Sequence, residues 1–464
     1  MMMSFLRRGL SAAAGLAISL AALPALGLTV QEVKSPGGLT AYLAEDHTTP
    51  VIAITFAFKG GSALDPAPKL GLSGFAVSLL DEGAGELDSF AFQSELQDRA
   101  ITLRFGDDSD MIRGNLVTTT PSAARALELM RMAMTTPRFD TEPVERIRRQ
   151  ILVGITSNQE SPGRIARNTL MEAVFAGHPY ARESDGTAES VSAITTDDLR
   201  AWVKSRFARD RLLVSAAGDI TPVELGKAID ALFGDLPKAT GLNATVRQVA
   251  APAKGRTIRV EKDLAQSMVY MAQRGIMRND PDWYIATVND YIFGSGSFAA
   301  RLMNEVREKR GLAYSVSTSL APYDAGSLMF GSVGTRADQA DTSIAIIRDE
   351  WKKMRDGGPT QKELDDAKQY LTGAWPLRFT TNGSIAEILL AVQRDNLGLD
   401  YIDKRNGLIE AVTLADAKRS AKRIYDPDGL TVVIVGPSPK ALSAKPAGSK
   451  PAASKPANAN PAKP

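Results

Sequence analysis

The chain repeats itself once, over a long distance. Ile194-Thr195-Thr196-Asp197-Asp198-Leu199 opens a helical segment that leads into the apolar run Leu212 to Gly218. Val412-Thr413-Leu414-Ala415-Asp416-Ala417 opens another, leading into Leu430 to Gly436. Thr195 and Thr413 lie 218 residues apart, as do Gly218 and Gly436. Thr141, Gln150, Leu152 and Gly154 match Thr360, Gln369, Leu371 and Gly373, each pair 219 apart. Two separate segments recurring at nearly one offset require a duplicated domain of about that length, not a short solenoid repeat.

Each copy starts with strands: Thr40 to Glu45 and Val51 to Lys59 in the first, Thr257 to Lys262 and Ser267 to Arg274 in the second. Helices follow, then a hairpin (Ile101 to Phe105 with Met111 to Thr118; Ala313 to Leu320 with Gly326 to Gly334), then long helices and one last strand. Segregated strand and helix runs predict an α+β fold, each copy a largely antiparallel sheet with helices packed on one face. The turn formers and weak periodicity between Pro237 and Lys254 mark the junction. The expected domains are 28–240 and 256–437, joined by a linker at 241–255.

Both ends differ from this body. Arg7 and Arg8 precede an uncharged apolar run, Leu10 to Leu23, and Ala25-Leu26-Gly27 supplies small residues before a cleavage point. Residues 1–27 therefore read as an export signal, which predicts a periplasmic or secreted protein. The run is shorter than the ~20 residues a spanning helix needs, which disfavours an uncleaved anchor. Residues 438–464 are Pro, Ala, Ser and Lys, a composition unable to bury a core and expected to be disordered. The net charge of +2 includes five lysines in this tail and two arginines in the signal, which leaves the body near −5 and gives no electrostatic case for nucleic acid. There is no cysteine, so disulfides, thiolate metal sites and cysteine nucleophiles are excluded.

The segment Arg307-Glu308-Lys309-Arg310-Gly311-Leu312-Ala313-Tyr314 ends a helix and opens a strand. Arg307 on the last turn and Tyr314 at the strand start could converge on one carbonyl, a planar fork beside a single O–H donor. The alternative is a helix-terminal arginine favoured by the macrodipole and a half-buried strand tyrosine. Gly294-Ser295-Gly296-Ser297-Phe298 follows a helix rather than a strand and lacks Gly-Lys-Ser/Thr, so it is no phosphate loop. Ser73, Ser78 and Ser297 have no histidine placed to activate them. Asp81-Glu82 and Asp107-Asp108 read as solvated turns.

The phrase "VREKRGLAYSV" resembles the second half of the M16 (pitrilysin/insulinase) zinc peptidases, and the likeness spans roughly Val30 to Pro437. In that family Arg307 and Tyr314 would bind substrate and stabilise the oxyanion, and the stretch with Gly294 and Gly296 would lie near the substrate cleft. Hydrolytic members carry His-x-x-Glu-His on an early helix, after a strand end like Phe58-Lys59-Gly60-Gly61-Ser62. Here those positions fall on Gly74, Val77 and Ser78, and a third ligand position falls near Val153-Gly154. None can ligate zinc or act as its general base. His47 and His178, the only histidines, are far apart in loop-like phrases and expected to be structural.

The resemblance therefore implies an M16B-like subunit that lost zinc and kept the Arg/Tyr pair. It would hold no cofactor itself, be inactive alone, and complete the site of a zinc-bearing, His-x-x-Glu-His partner acting on peptide or unfolded polypeptide. The alternative is a peptide-binding or scaffold protein with no role in hydrolysis.

Overall fold

The computed structural model describes residues 28–438. The export-signal and tail segments lie outside them. The first half supplies β1 (Val30–Lys34), β2 (Thr40–Glu45), β3 (Val51–Lys59), β4 (Thr102–Asp107), β5 (Met111–Thr119) and β6 (Leu212–Gly218). The second supplies β7 (Thr257–Glu261), β8 (Gln266–Arg274), β9 (Ala313–Tyr323), β10 (Gly326–Arg336) and β11 (Thr431–Gly436). They form two sheets, ordered β1-β2-β6-β3-β5-β4 and β7-β11-β8-β10-β9. With β1 set aside, the second order repeats the first strand for strand. Each sheet has one parallel pair, β2 with β6 and β7 with β11, and is otherwise antiparallel.

The repeated sequence segments occupy equivalent places. Thr195 Oγ1 accepts the Asp198 N–H at 3.2 Å and caps helix Thr196–Arg206, which feeds β6. Thr413 Oγ1 accepts the Asp416 N–H at 3.1 Å and caps helix Leu414–Ile424, which feeds β11. A short oxygen side chain at this position satisfies an N–H that the first helical turn leaves free.

Strand β3 shows how the sheets are covered. Its even residues, Ile52, Ile54, Phe56 and Phe58, are large and pack under the helices of their own half. Its odd residues Ala53 and Ala57 are small and point to the opposite face. There helix Asn382–Arg394, from the second half, lies across β2, β3 and β6. It is fixed by Ser215 Oγ donating to Ala386 O (2.7 Å), Val214 N–H donating to Gln393 Oε1 (2.9 Å) and Asn382 Nδ2 donating to Val51 O (2.9 Å). The exchange is reciprocal: helix Pro162–Val174 of the first half lies on β8 and β11. The expected helices on one face are present, and the other face of each sheet takes one helix from the other half.

Residues 237–256 contain no helix or strand, yet they are tied down. Val249 N–H donates to Ala325 O (2.8 Å), Arg247 donates to Gly177 O (3.0 Å), and Ala251 is buried. Among the described residues no helix is long and apolar enough to cross a membrane.

Candidate functional site

Two regions bear on chemistry. The first surrounds Gly74. Strand β3 ends at Gly60-Gly61, and a Cβ on Gly61 would stand 2.0 Å from Asp108 O, so glycine is required where the chain passes the β4–β5 turn. Gly71, at φ +86, starts helix Leu72–Val77. That helix is anchored through buried Asp65, which accepts from the Ser73 N–H (2.9 Å) and Ser73 Oγ (2.5 Å) and pairs with buried Arg206 at 3.3 Å. Trp202 Nε1 donates to the same Ser73 Oγ at 3.0 Å. Burial pushes the Asp65 carboxyl up, against the pull of Ser73 and Arg206.

Gly74 and Ser78 face a cavity of about 370 Å³, shared with Phe75, Asp107, Ile151, Arg167 and Asp185. Ser78 Oγ donates to Gly74 O at 2.8 Å. Val77 points into the apolar core, 4% exposed. A Cβ on Gly74 would lie 3.6 Å from Asp107 Oδ1, so the Asp107 carboxyl stands over the position of the first family ligand. The solvated turn expected for Asp107 is corrected: burial, then the fields of Asp65, Asp108 and Asp185, push its carboxyl up to about 7. Asp81 is likewise pushed up, mainly by burial. Gly154 has open space around its Cβ position, and Ile151, one turn earlier, lines the cavity. These residues do not fit zinc: there is no imidazole, the middle position is in the core, and the Ser78 hydroxyl is engaged. Among the described residues no group of three or more His, Cys, Asp or Glu could hold a metal ion.

The histidines are structural. His178 is buried, its Nδ1 accepts from the Tyr180 N–H (3.2 Å), and its Nε2 therefore donates to Arg247 O (2.9 Å). Burial holds its pKa down. His47 lies between Asp219 (2.6 Å) and Glu45 (2.8 Å), whose hydrogen bonds raise its pKa.

The second region is the segment before β9. Met303–Glu308 is wound as a π-helix, with the Lys309 N–H reaching Asn304 O at 2.9 Å. Gly311, at φ +61, releases the chain into β9. The wider turn sets Arg307 between two exposed rings: its guanidinium carbon is 4.7 Å from the Phe298 centroid and 5.3 Å from that of Tyr314. Tyr314 is 82% exposed, not the half-buried strand tyrosine of the alternative reading. Lys309 and Arg310 are both paired with Glu305, whereas Arg307 has only a 3.6 Å contact to Glu308.

Gly294 and Gly296 are buried. A Cβ would stand 2.2 Å from Thr318 Oγ1 at Gly294 and 2.5 Å from Tyr291 O at Gly296. Close packing accounts for both glycines. Sequence reasoning missed Phe298, the second ring against Arg307. Its place beside the Gly-Ser-Gly turn, as an aromatic between polar and small residues, was the available signal.

A model of the peptidase M16 inactive domain matches residues 193–371. The non-peptidase homolog YmxG of Helicobacter pylori is 27% identical over 414 residues, covering 89% of this chain and 95% of that protein. The mitochondrial-processing peptidase subunit beta of Blastocladiella emersonii is 23% identical, with 88% of each chain covered. The crystal structure of a peptidase M16 inactive domain from Pseudomonas fluorescens superposes with a TM-score of 0.83 at 29% identity, over 89% of this chain and 98% of that one.

Proposed function

Since this chain belongs to the M16 peptidase family as a member without the zinc motif, we propose that it is the non-zinc subunit of a periplasmic or secreted peptidase, supplying Arg307 and Tyr314 to the zinc site of a partner M16 chain. The observation that carries the reading is the stack Phe298–Arg307–Tyr314, two exposed rings flanking a half-exposed guanidinium whose one ion pair is the 3.6 Å contact to Glu308. Stacking fixes the guanidinium plane and leaves its edge N–H groups free for a carbonyl. The phenol O–H, at the strand start, is placed to donate to an oxyanion. Such a preorganised donor accounts for roughly 10²–10³ in kcat where it has been removed from an oxyanion site. The likeness to a processing-peptidase subunit supports a two-chain enzyme. The likeness to a non-peptidase homolog supports inactivity of this chain alone.

The test is steady-state kinetics of this chain reconstituted with an M16 chain bearing His-x-x-Glu-His. Tyr314→Phe keeps the ring and removes the donor. Complex formation should stay normal while kcat falls by ~10² with a smaller change in KM. Arg307→Lys should raise KM as well. Wild-type turnover with both variants would remove the pair from the mechanism and leave a peptide-binding scaffold.

A further inference from the structure

The two halves enclose a groove of about 810 Å³ on the face of the first sheet beside helix Asn382–Arg394. Its volume lies in the range of ligand sites. Three arginines line it: Arg104 of β4, Arg113 of β5, and Arg378 of the turn Pro376–Phe379 in the second half. Arg113 is occupied by Asp108 at 2.7 Å. Arg104 and Arg378 have no carboxylate partner among the described residues, and both are exposed. The one carboxylate in the lining is Glu387. Leu377 and Ile388 interleave with these charges, and Leu377 is 71% exposed.

We infer that this groove binds an extended polypeptide segment carrying acidic side chains, with Arg104 and Arg378 gripping carboxylates from opposite halves and Leu377 with Ile388 taking an intervening apolar side chain. Two unpaired forks facing one channel are complementary to carboxylates, which each can hold bidentately. Apolar positions between them favour a chain with side chains of both kinds over a small anion. The chain's own tail does not suit the groove, because from Ser438 onward it has five lysines and no acid. The inference rests on the proposed function only in taking polypeptide as the ligand, and it needs no zinc-bearing partner.

The experiment uses the purified chain alone and a short fluorescent peptide with Asp and Glu spaced by Leu and Ser, beside its Asn/Gln counterpart. Fluorescence anisotropy should show the acidic peptide binding about tenfold tighter at low salt, with the difference narrowing as salt rises. Arg104→Gln and Arg378→Gln should each weaken the acidic peptide about fivefold or more and leave the amide peptide unchanged. Glu387→Gln should tighten the acidic peptide. Equal binding of the two peptides, or an acidic preference that survives the double arginine variant, overturns the inference. So does full displacement by succinate at matched carboxylate concentration, which would make this a small-anion site. Loss of peptide binding here would leave the Tyr314 kinetics untouched, and the reverse also holds.

Discussion

Asp107 stands over Gly74, its Oδ1 3.6 Å from where a Cβ at that position would lie. Its carboxyl is raised from 3.8 to about 7. The sign of its effect on stability follows directly. Between these values the folded chain keeps a proton that the unfolded chain has lost, so the native state binds more protons and stability falls as pH rises. The contribution is most favourable below the unfolded value of 3.8, declines towards about 7, and is flat above. Asp107→Asn keeps the shape and removes the charge. It should leave stability nearly unchanged at about pH 4 and raise it by about 2–4 kcal/mol at about pH 8. Denaturant unfolding at both pH values checks this; an equal effect at the two would mean that the carboxyl is not protonated by burial.

At the scale of elements, the segment leading into β9 is held by a glycine and a buried acid. Gly294 lets the π-helical turn Tyr291–Ser295 touch β9 at Thr318, and Asp290 accepts a hydrogen bond from Thr318 Oγ1 at 2.6 Å. Tyr314 lies four residues earlier on the same strand. Gly294→Ala would place a methyl 2.2 Å from Thr318 Oγ1 and 2.8 Å from its backbone nitrogen, a clash with main chain that no rotamer relieves. It should destabilise the fold by about 1–3 kcal/mol and displace the start of β9. A thermal melt reads the first effect, and crystallography or the reconstituted kinetics the second. A melt equal to wild type would show that the strand yields freely. This packing was not legible in the sequence: the Gly-Ser-Gly phrase suggested a ligand turn, because a glycine that admits a neighbour and one that admits a substrate look the same in one dimension. The proximity of Arg307 and Tyr314 was legible because it depends on local spacing across one helix end. The raised Asp107 carboxyl was not, because the charges that add to burial include Asp65 and Asp185, distant in sequence. Strands β2 and β3 were legible to the residue from their apolar runs and turn formers, whereas β1, with Gln31, Glu32 and Lys34 in a five-residue edge strand, was not.

For the whole molecule, duplication was legible in the recurring offset, whereas the exchange of helices was not, since nothing in a helix's own period says which sheet it will cover. One hint existed. Val51 to Lys59 is almost unbroken apolar, and a strand with both faces buried reads that way; its alternating large and alanine residues mark one face for several helices and the other for a single close one. The exchange has a consequence for folding. Neither half can bury both faces of its sheet alone, so Ala44, Ala53, Ala57 and Ala217 meet water unless Ile385, Leu389 and Leu390 arrive from the other half. The two halves should therefore unfold as one cooperative unit. Residues 28–240 expressed alone should aggregate or remain unfolded, and coexpression with 241–438 should restore a soluble, tightly associated pair. Ala386→Glu, which puts a carboxylate against β6 where Ala386 is fully buried, should lower stability by about 3 kcal/mol or more without touching Arg307 or Tyr314. Calorimetry of the intact chain is the decisive measurement. A single transition that moves as a whole in the Ala386→Glu variant fits mutual dependence. Two transitions, of which only the first half's shifts, would mean that the halves are independent domains and that the exchanged helices are ornaments of the interface.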